Sequence, residues 1–384
     1  MTGDKNQFSA TKAFDDYNPP PGYNHFVSFT QMIACCSLLP VLSACSLAKP
    51  SALSLSPDQQ ALYVFRYDPA ALVELAANDR PVREIPISLP AGCGLSGLFP
   101  APRGAYLAME LDCAFGQTVL WVNTASGDAR QAYTEADSHF LAWTADGGAA
   151  YLKVDTIGDP RILRVHTDGS QEFIPVTGSS FDIAPQPDGP DFTFTFSRGL
   201  GFGSEMWLAR RDGGIVGQLA ADNGSYLSFA RWSPDGKHIA FIKIPDTQVP
   251  FPLGELWVMN ADGSGPHLLA KADAGHGFAP AWSPDGTRLA FVMRDNPQDA
   301  NADQYADALR SNIDVVDVES GRSIRLTQLE NARVEAPSWS PDGNTIGVTV
   351  VLDDKIVVYL ADVSSGEARP LSLESSCCAA WLRK

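Results

Sequence analysis

Nucleophile elbows, phosphate loops and zinc-peptidase signatures are all missing from this chain. No Gly-x-Ser-x-Gly turn occurs, and no segment is left over for an α/β-hydrolase domain. A Walker loop, a Rossmann fingerprint and His-Glu-x-x-His are equally absent, which removes the nucleotide-dependent and zincin chemistries those motifs serve. Positive charge is scarce: 28 Lys and Arg stand against 45 Asp and Glu, a formal net charge of −17. Such a surface lacks the basic patches that nucleic acid or anionic lipid would need, so no nucleic-acid partner is expected. Histidine is limited to six residues, and cysteine never occurs as Cys-x-x-Cys, a poor basis for a cysteine metal site. Helical periodicity is nearly absent too. The one expected helix covers residues 299–309.

What is present is a repeat. The pentapeptide Trp-Ser-Pro-Asp-Gly occurs at Trp232–Gly236, Trp282–Gly286 and Trp339–Gly343. Each copy precedes a short apolar segment: Ile239-Ala240-Phe241, Leu289-Ala290-Phe291 and Ile346-Gly347-Val348. Pro pre-sets the φ of a type I turn, Asp235, Asp285 and Asp342 can bond local backbone N–H groups, and Gly236, Gly286 and Gly343 supply positive φ. The pentapeptide is therefore a hairpin corner, with Trp232, Trp282 and Trp339 placed for burial between sheets. Degenerate copies centre on Pro57, Pro102, Ala145 and Pro187, so that the unit recurs at intervals of roughly 42–57 residues, the size of a four-stranded propeller blade. Third strands such as Leu256-Trp257-Val258-Met259 end in turn signals such as Asp262-Gly263-Ser264. The expectation is an all-β fold, a β-propeller of seven four-stranded blades, with six and eight as the neighbouring counts. It occupies residues 51–384 as one domain.

This pattern resembles the TolB-type propeller repeat, closely over residues 225–373 and loosely before that. The same repeat occurs in the propellers of prolyl-oligopeptidase-like enzymes and in oligogalacturonate lyases. The resemblance implies the fold and is nearly silent on activity, because function resides in sites rather than in folds. The peptidases carry their catalysis on a second domain for which this chain has no room.

Residues 26–48 contain no charged side chain, and within them residues 33–44 form an apolar core ending in Leu42-Ser43-Ala44-Cys45. That tetrapeptide resembles a bacterial lipobox. The resemblance implies cleavage before Cys45, lipidation of Cys45 and firm attachment by several acyl chains. Residues 1–44 are then a leader and 45–50 a tether, with the protein exported to the periplasm, outer membrane or cell surface. No Lys or Arg lies between Lys12 and Lys49, so the usual positive n-region is missing, and an uncleaved signal anchor is the alternative. Four cysteines lie beyond the leader. Cys93 and Cys113 flank the hairpin around Pro102 and are disulfide candidates, with two buried thiols as the alternative. Adjacent Cys377 and Cys378 form either a vicinal bridge or a pair of thiols.

In a propeller the loops entering the innermost strands crowd around one mouth of the channel. Here they carry Asp137, His139, Tyr226, His276, Arg333 and Glu335 as ligand candidates. No catalytic residue and no resident cofactor is expected. The one metal reading is a divalent ion shared by His139 and His276, after the manner of the oligogalacturonate lyases that the repeat resembles. Residues 299–305 begin like a calcium loop, but Gln304 replaces its Gly and Arg310 its terminal Glu. This long insertion, and the apolar excursion at 249–253, are expected to form a partner-contact patch whose removal at 297–309 leaves thermal stability unchanged. At the chain end, Ala379-Ala380-Trp381-Leu382 can serve as a closing inner strand, or residues 51–56 can play that part instead. The expected function is a non-catalytic platform that binds an envelope protein or ligand. The alternative is an envelope enzyme or binder of acidic carbohydrate that uses a metal at the channel mouth.

Overall fold

The computed structural model describes residues 60–383, apart from 77–78, 115, 157–158, 275–277 and 353–354. The leader, the tether, Cys45 and His276 lie outside the described residues. The chain forms seven antiparallel four-stranded sheets arranged as the blades of a propeller. Blades 2 to 7 are each built from four consecutive strands. In blade 5 these are, from the centre outward, Ser225–Trp232, His238–Pro245, Leu253–Asn260 and His267–Asp273. Blade 1 differs, because its innermost strand is Ser376–Arg383 and its other three are Gln60–Tyr67, Ala70–Leu75 and Pro81–Pro86. The C-terminal strand therefore closes the ring. Its register pairs Trp381 with Leu62, just as Trp232 pairs with Ile239 and Trp339 with Ile346.

Burial on both faces explains why the second strands read as unbroken apolar runs. Alternate residues of a strand point to opposite faces. Ile239 and Phe241 therefore pack toward blade 4 with Ala184 and Met206, while Ala240 and Ile242 pack toward blade 6 with Leu289 and Phe291. No face of the sheet remains for water, as in sheets covered on both sides.

The pentapeptide makes the corner expected of it. Ser233 Oγ donates to Asp235 Oδ1 at 2.7 Å and accepts from His238 N–H at 3.0 Å, and Gly236 N–H donates to Ser233 O at 2.8 Å. Gly236, Gly286 and Gly343 all have φ near 70°. The adjoining Trp does more than fill space. Trp232 Nε1–H donates to Ala184 O at 3.0 Å, Trp282 to Arg231 O at 2.9 Å and Trp339 to Ala281 O at 2.9 Å. Trp143 repeats the bond to Phe99 O at 3.0 Å. Each indole thus ties its blade to the inner strand of the blade before.

A bulge interrupts these inner strands. Three residues before the Trp position, Phe229, Ala336 and Cys378 take φ values of 58°, 49° and 65°, an uncommon conformation for residues with a side chain. The register shifts at the same places, and the N–H groups freed near the bulge are satisfied from the preceding blade. Cys378 N–H donates to Thr349 Oγ1, Phe140 N–H to Glu110 Oε1 and Ala230 N–H to Asp182 Oδ2.

One expectation needs correction. Residues 299–309 form turns and a single 3-10 segment, Ala306–Ala308, because Asn296 and Asp299 side chains bond the local backbone and compete with a helix. Among the described residues no helix is long and apolar enough to cross a membrane.

The indole ties make a prediction. Trp232→Phe keeps most of the apolar area and removes one buried donor, so unfolding in denaturant should show a loss of roughly 1–3 kcal/mol, with the seven-bladed β signature unchanged by circular dichroism.

Candidate functional site

Because adjacent strands run in opposite directions, the end where inner strands begin also holds the turns between second and third strands. The mouth of the channel and those turns share one face. Asp137 and His139 lie on the inner strand of blade 3, Tyr226 on that of blade 5, and Arg333 with Glu335 on that of blade 7.

These candidates are engaged mainly with their immediate neighbours. Arg333 Nε donates to Glu335 Oε1 at 2.6 Å, and its Nη1 reaches Ala306 O at 3.3 Å. The Tyr226 ring packs edge-on to Phe181 at 6.1 Å. His139 Nδ1 stands 3.9 Å from Glu110 Oε1. Among the described residues no three His, Cys, Asp or Glu side chains are grouped to hold a metal.

Glu110 escaped the sequence reading. It sits in the second strand of blade 2 (Tyr106–Cys113), eight residues beyond the turn residue Pro102, which is the position Thr349 holds in blade 7. Both side chains cap the bulge of the next blade. Burial raises the Glu110 carboxyl to about 7, outweighing the Phe140 N–H that favours its charged form, and Asp112 adds a like charge. Burial also lowers the His139 imidazole, and the Lys153 charge opposite adds to that shift, against Asp137, Asp155 and Asp112. The signal available in sequence was an acid, Glu110, flanked by Met109 and Leu111 in a largely apolar strand.

The more distinctive construction lies on the turns of blades 4, 5 and 6. The blade 4 turn, residues 197–203, alternates Gly199, Gly201 and Gly203 with Leu200 and Phe202. All three glycines have positive φ, so the backbone can coil tightly and turn both apolar side chains outward. Leu200 is 43% and Phe202 62% exposed. Asp246, from blade 5, pins this loop by accepting from Gly201 N–H at 2.7 Å and Gly203 N–H at 2.8 Å. Ser197 Oγ closes its base on Gly203 O at 2.5 Å.

The blade 5 turn is tied in the same way to the blade 6 insertion. Arg294, with a fully buried side chain, donates to Asp273 Oδ1, Phe251 O and Asp303 Oδ1, each at 2.8 Å. Phe251 N–H donates to Asp303 O at 3.1 Å. Ala302 and Leu309 of the insertion are fully buried, whereas Tyr305 is 62% exposed. The excursion at 249–253 and the insertion are therefore one packed unit. Deleting 297–309 would remove Asp303, one of the three acceptors of buried Arg294, and the buried side chains of Ala302 and Leu309, so the expectation of unchanged thermal stability is corrected. Crevices of about 380 Å³ between blades 7 and 1 and about 430 Å³ between blades 3 and 4 open at the opposite end, lined by first-to-second and third-to-fourth strand turns.

Comparison with known proteins bears on the fold. Residues 205–379 match the family model described as the TolB beta propeller domain. TolB from Acinetobacter baumannii is similar over 85% of this chain and 67% of its own, at 15% identity and a TM-score of 0.50. An oligogalacturonate lyase in complex with manganese is similar over 80% of this chain and 86% of its own, at 17% identity and a TM-score of 0.57. A prolyl endopeptidase matches over 88% of this chain but only 50% of its own, at 13% identity and a TM-score of 0.57. At these identities the likeness shows the fold alone. No curated protein matches the sequence significantly.

Glu110 generates a pH prediction. A carboxyl raised from 4.5 to about 7 binds its proton more tightly in the folded state, so stability is lost as pH rises from about 4.5 through about 7. Glu110→Gln can still accept from Phe140 N–H, and should flatten that loss. Relative to wild type it gains on the order of 1–3 kcal/mol between pH 5 and pH 8 in paired denaturation curves; parallel curves would remove the assignment.

Proposed function

We propose that this β-propeller, of which residues 205–379 match the TolB beta propeller domain, is an exported, lipid-anchored platform that binds a protein partner without catalysis. The observation that carries this reading is the tied crest on blades 4 to 6. Leu200 and Phe202 are held outward by a backbone pinned at Asp246, and Tyr305 stands on a unit locked by buried Arg294. Apolar groups presented on an already ordered loop lose little freedom on association, which is what a binding anchor requires. Exposed apolar residues gathered on one face also mark interaction sites.

The partner is a protein rather than nucleic acid or an anionic lipid surface. The −17 net charge opposes both of the latter. The direction of the chain agrees. Gln60 begins the second strand of blade 1 and therefore lies at the end opposite the mouth. In this reading the described ring begins on the face opposite the crest. Export is supported by the two disulfides among the described residues, since such bonds persist in oxidising compartments.

Two measurements test the proposal. Leu200→Ser/Phe202→Ser should weaken retention of the crosslinked envelope partner roughly thirtyfold, the scale of a lost hot spot, while the melting temperature stays that of wild type. Equal retention would sink the platform reading. Separately, intact mass of the membrane-associated protein should give a species beginning at acylated Cys45 that disappears when the lipoprotein signal peptidase is inhibited. A full-length, unacylated chain would refute the anchor and leave the crest untouched as a hypothesis.

A further inference from the structure

Cys377 and Cys378 are consecutive on a strand, where successive side chains ordinarily point to opposite faces. The left-handed φ of 65° at Cys378 cancels that alternation, and the two sulfurs are joined. This bulge is a property of the fold rather than of the cysteines, since Phe229 and Ala336 take the same conformation at the same blade position. Ring closure by the C-terminal strand puts the pair on the innermost strand of blade 1, near its mouth end.

The two sulfurs are not equivalent. Cys377 is 3% exposed and packs in the apolar cluster of blades 1 and 2. The Tyr67 hydroxyl lies 3.3 Å from its Sγ. Cys378 is only half-buried, and its backbone is held by the N–H bond to Thr349 Oγ1 at 3.0 Å. Around them, Glu335 faces Tyr67 from blade 7 and is itself paired with Arg333. Burial and the Glu335 charge both raise the Tyr67 phenol, so it remains a protonated donor.

We propose that Cys377–Cys378 is a thiol-exchange site at the channel mouth, with Cys378 the attacked sulfur and Cys377 the leaving one, and that its reaction partner is a dithiol. The incoming thiolate bonds to Cys378 Sγ as the bond between the cysteines breaks. The electron pair moves to Cys377 Sγ, where the Tyr67 O–H donates to the new thiolate before a solvent proton completes the thiol. The second thiolate of the dithiol then attacks its own sulfur in the mixed disulfide and releases Cys378, which takes up a second proton. Two electrons and two protons pass to the cysteine pair, and the dithiol leaves as a disulfide. Cys93–Cys113 lacks this asymmetry. Its residues sit directly opposite on two strands with both partly buried, and no tyrosine hydroxyl is recorded against either sulfur among the described residues.

The test uses the full chain under native conditions, with alkylation and peptide mass locating each thiol. In glutathione disulfide, Cys377→Ser should take one glutathione at Cys378. Cys378→Ser should leave Cys377 unmodified until denaturant is added, a difference of at least about tenfold in rate. With both cysteines retained, Tyr67→Phe should slow opening of the pair by dithiothreitol roughly two- to tenfold relative to wild type, with Cys93–Cys113 as an unaffected internal reference. Free thiols at both positions in the air-oxidised native protein would overturn the proposal. So would equal or reversed reactivity of the two single variants, or a Tyr67→Phe rate equal to wild type. Should a serine variant fail to fold, the Tyr67→Phe comparison alone decides.

Discussion

Several blades of this ring have polar groups satisfied by the blade before, at Trp143, Trp232, Trp282 and Trp339. An apolar four-stranded sheet covered on both faces can be stable only if its neighbours also meet its exposed polar groups, because a buried unpaired N–H costs as much as a hydrogen bond contributes. Here the Trp indole supplies one inter-blade bond, and a side-chain oxygen from the preceding blade caps the bulged inner strand. The seams are thus polar at points and apolar between them, which fixes the angle at which one blade meets the next. Closure by the C-terminal strand extends the rule to blade 1, where Cys378 is capped by Thr349 as Phe140 is capped by Glu110.

The same rule explains why the unusual groups lie where they do. Glu110 and Asp182 are acids in capping positions. Burial holds both carboxyls above their ordinary range, and for Asp182 it outweighs the nearby Arg231 charge. Their perturbation follows from burial at the seam, against the backbone N–H bonds that favour the charged forms. Arg294 extends the principle outside the ring: a single buried guanidinium, always charged and with several donors, bonds the end of blade 5, its excursion and the blade 6 insertion. That part of the crest is held by Arg294, as the Gly199–Gly203 loop is held by Asp246.

Much of this was legible in the residues. Trp-Ser-Pro-Asp-Gly, spaced by a blade, specifies corner and period because turn chemistry is local: Pro, Asp and Gly act within five residues of one another. The continuous runs after each corner announce sheets buried on both faces. The closing strand was half legible, since Trp381 stands at the right place for an inner strand, but residues 51–56 offered a rival that only pairing could set aside. The helix at 299–309 was misread, because Asn and Asp competition for the backbone outweighed the pattern of small residues. Leu200 and Phe202 passed unnoticed, although their alternation with three glycines was visible.

By itself, then, the sequence determined the fold class, the blade period and the chemistry of each corner, all of which depend on residues close together in the chain, while six to eight blades remained open until the C-terminal strand was seen to pair with Gln60–Tyr67. Tertiary structure alone decided that Asp246 would pin the Gly199–Gly203 loop, that Arg294 would join two excursions, that His139 would meet Glu110, and that Cys377 and Cys378 would lie on a bulge beside Tyr67. The physical reason is that these contacts join residues from different blades, or from opposite ends of the chain. Their distances are set by how the blades stack and by where the ring closes, quantities that no local pattern contains.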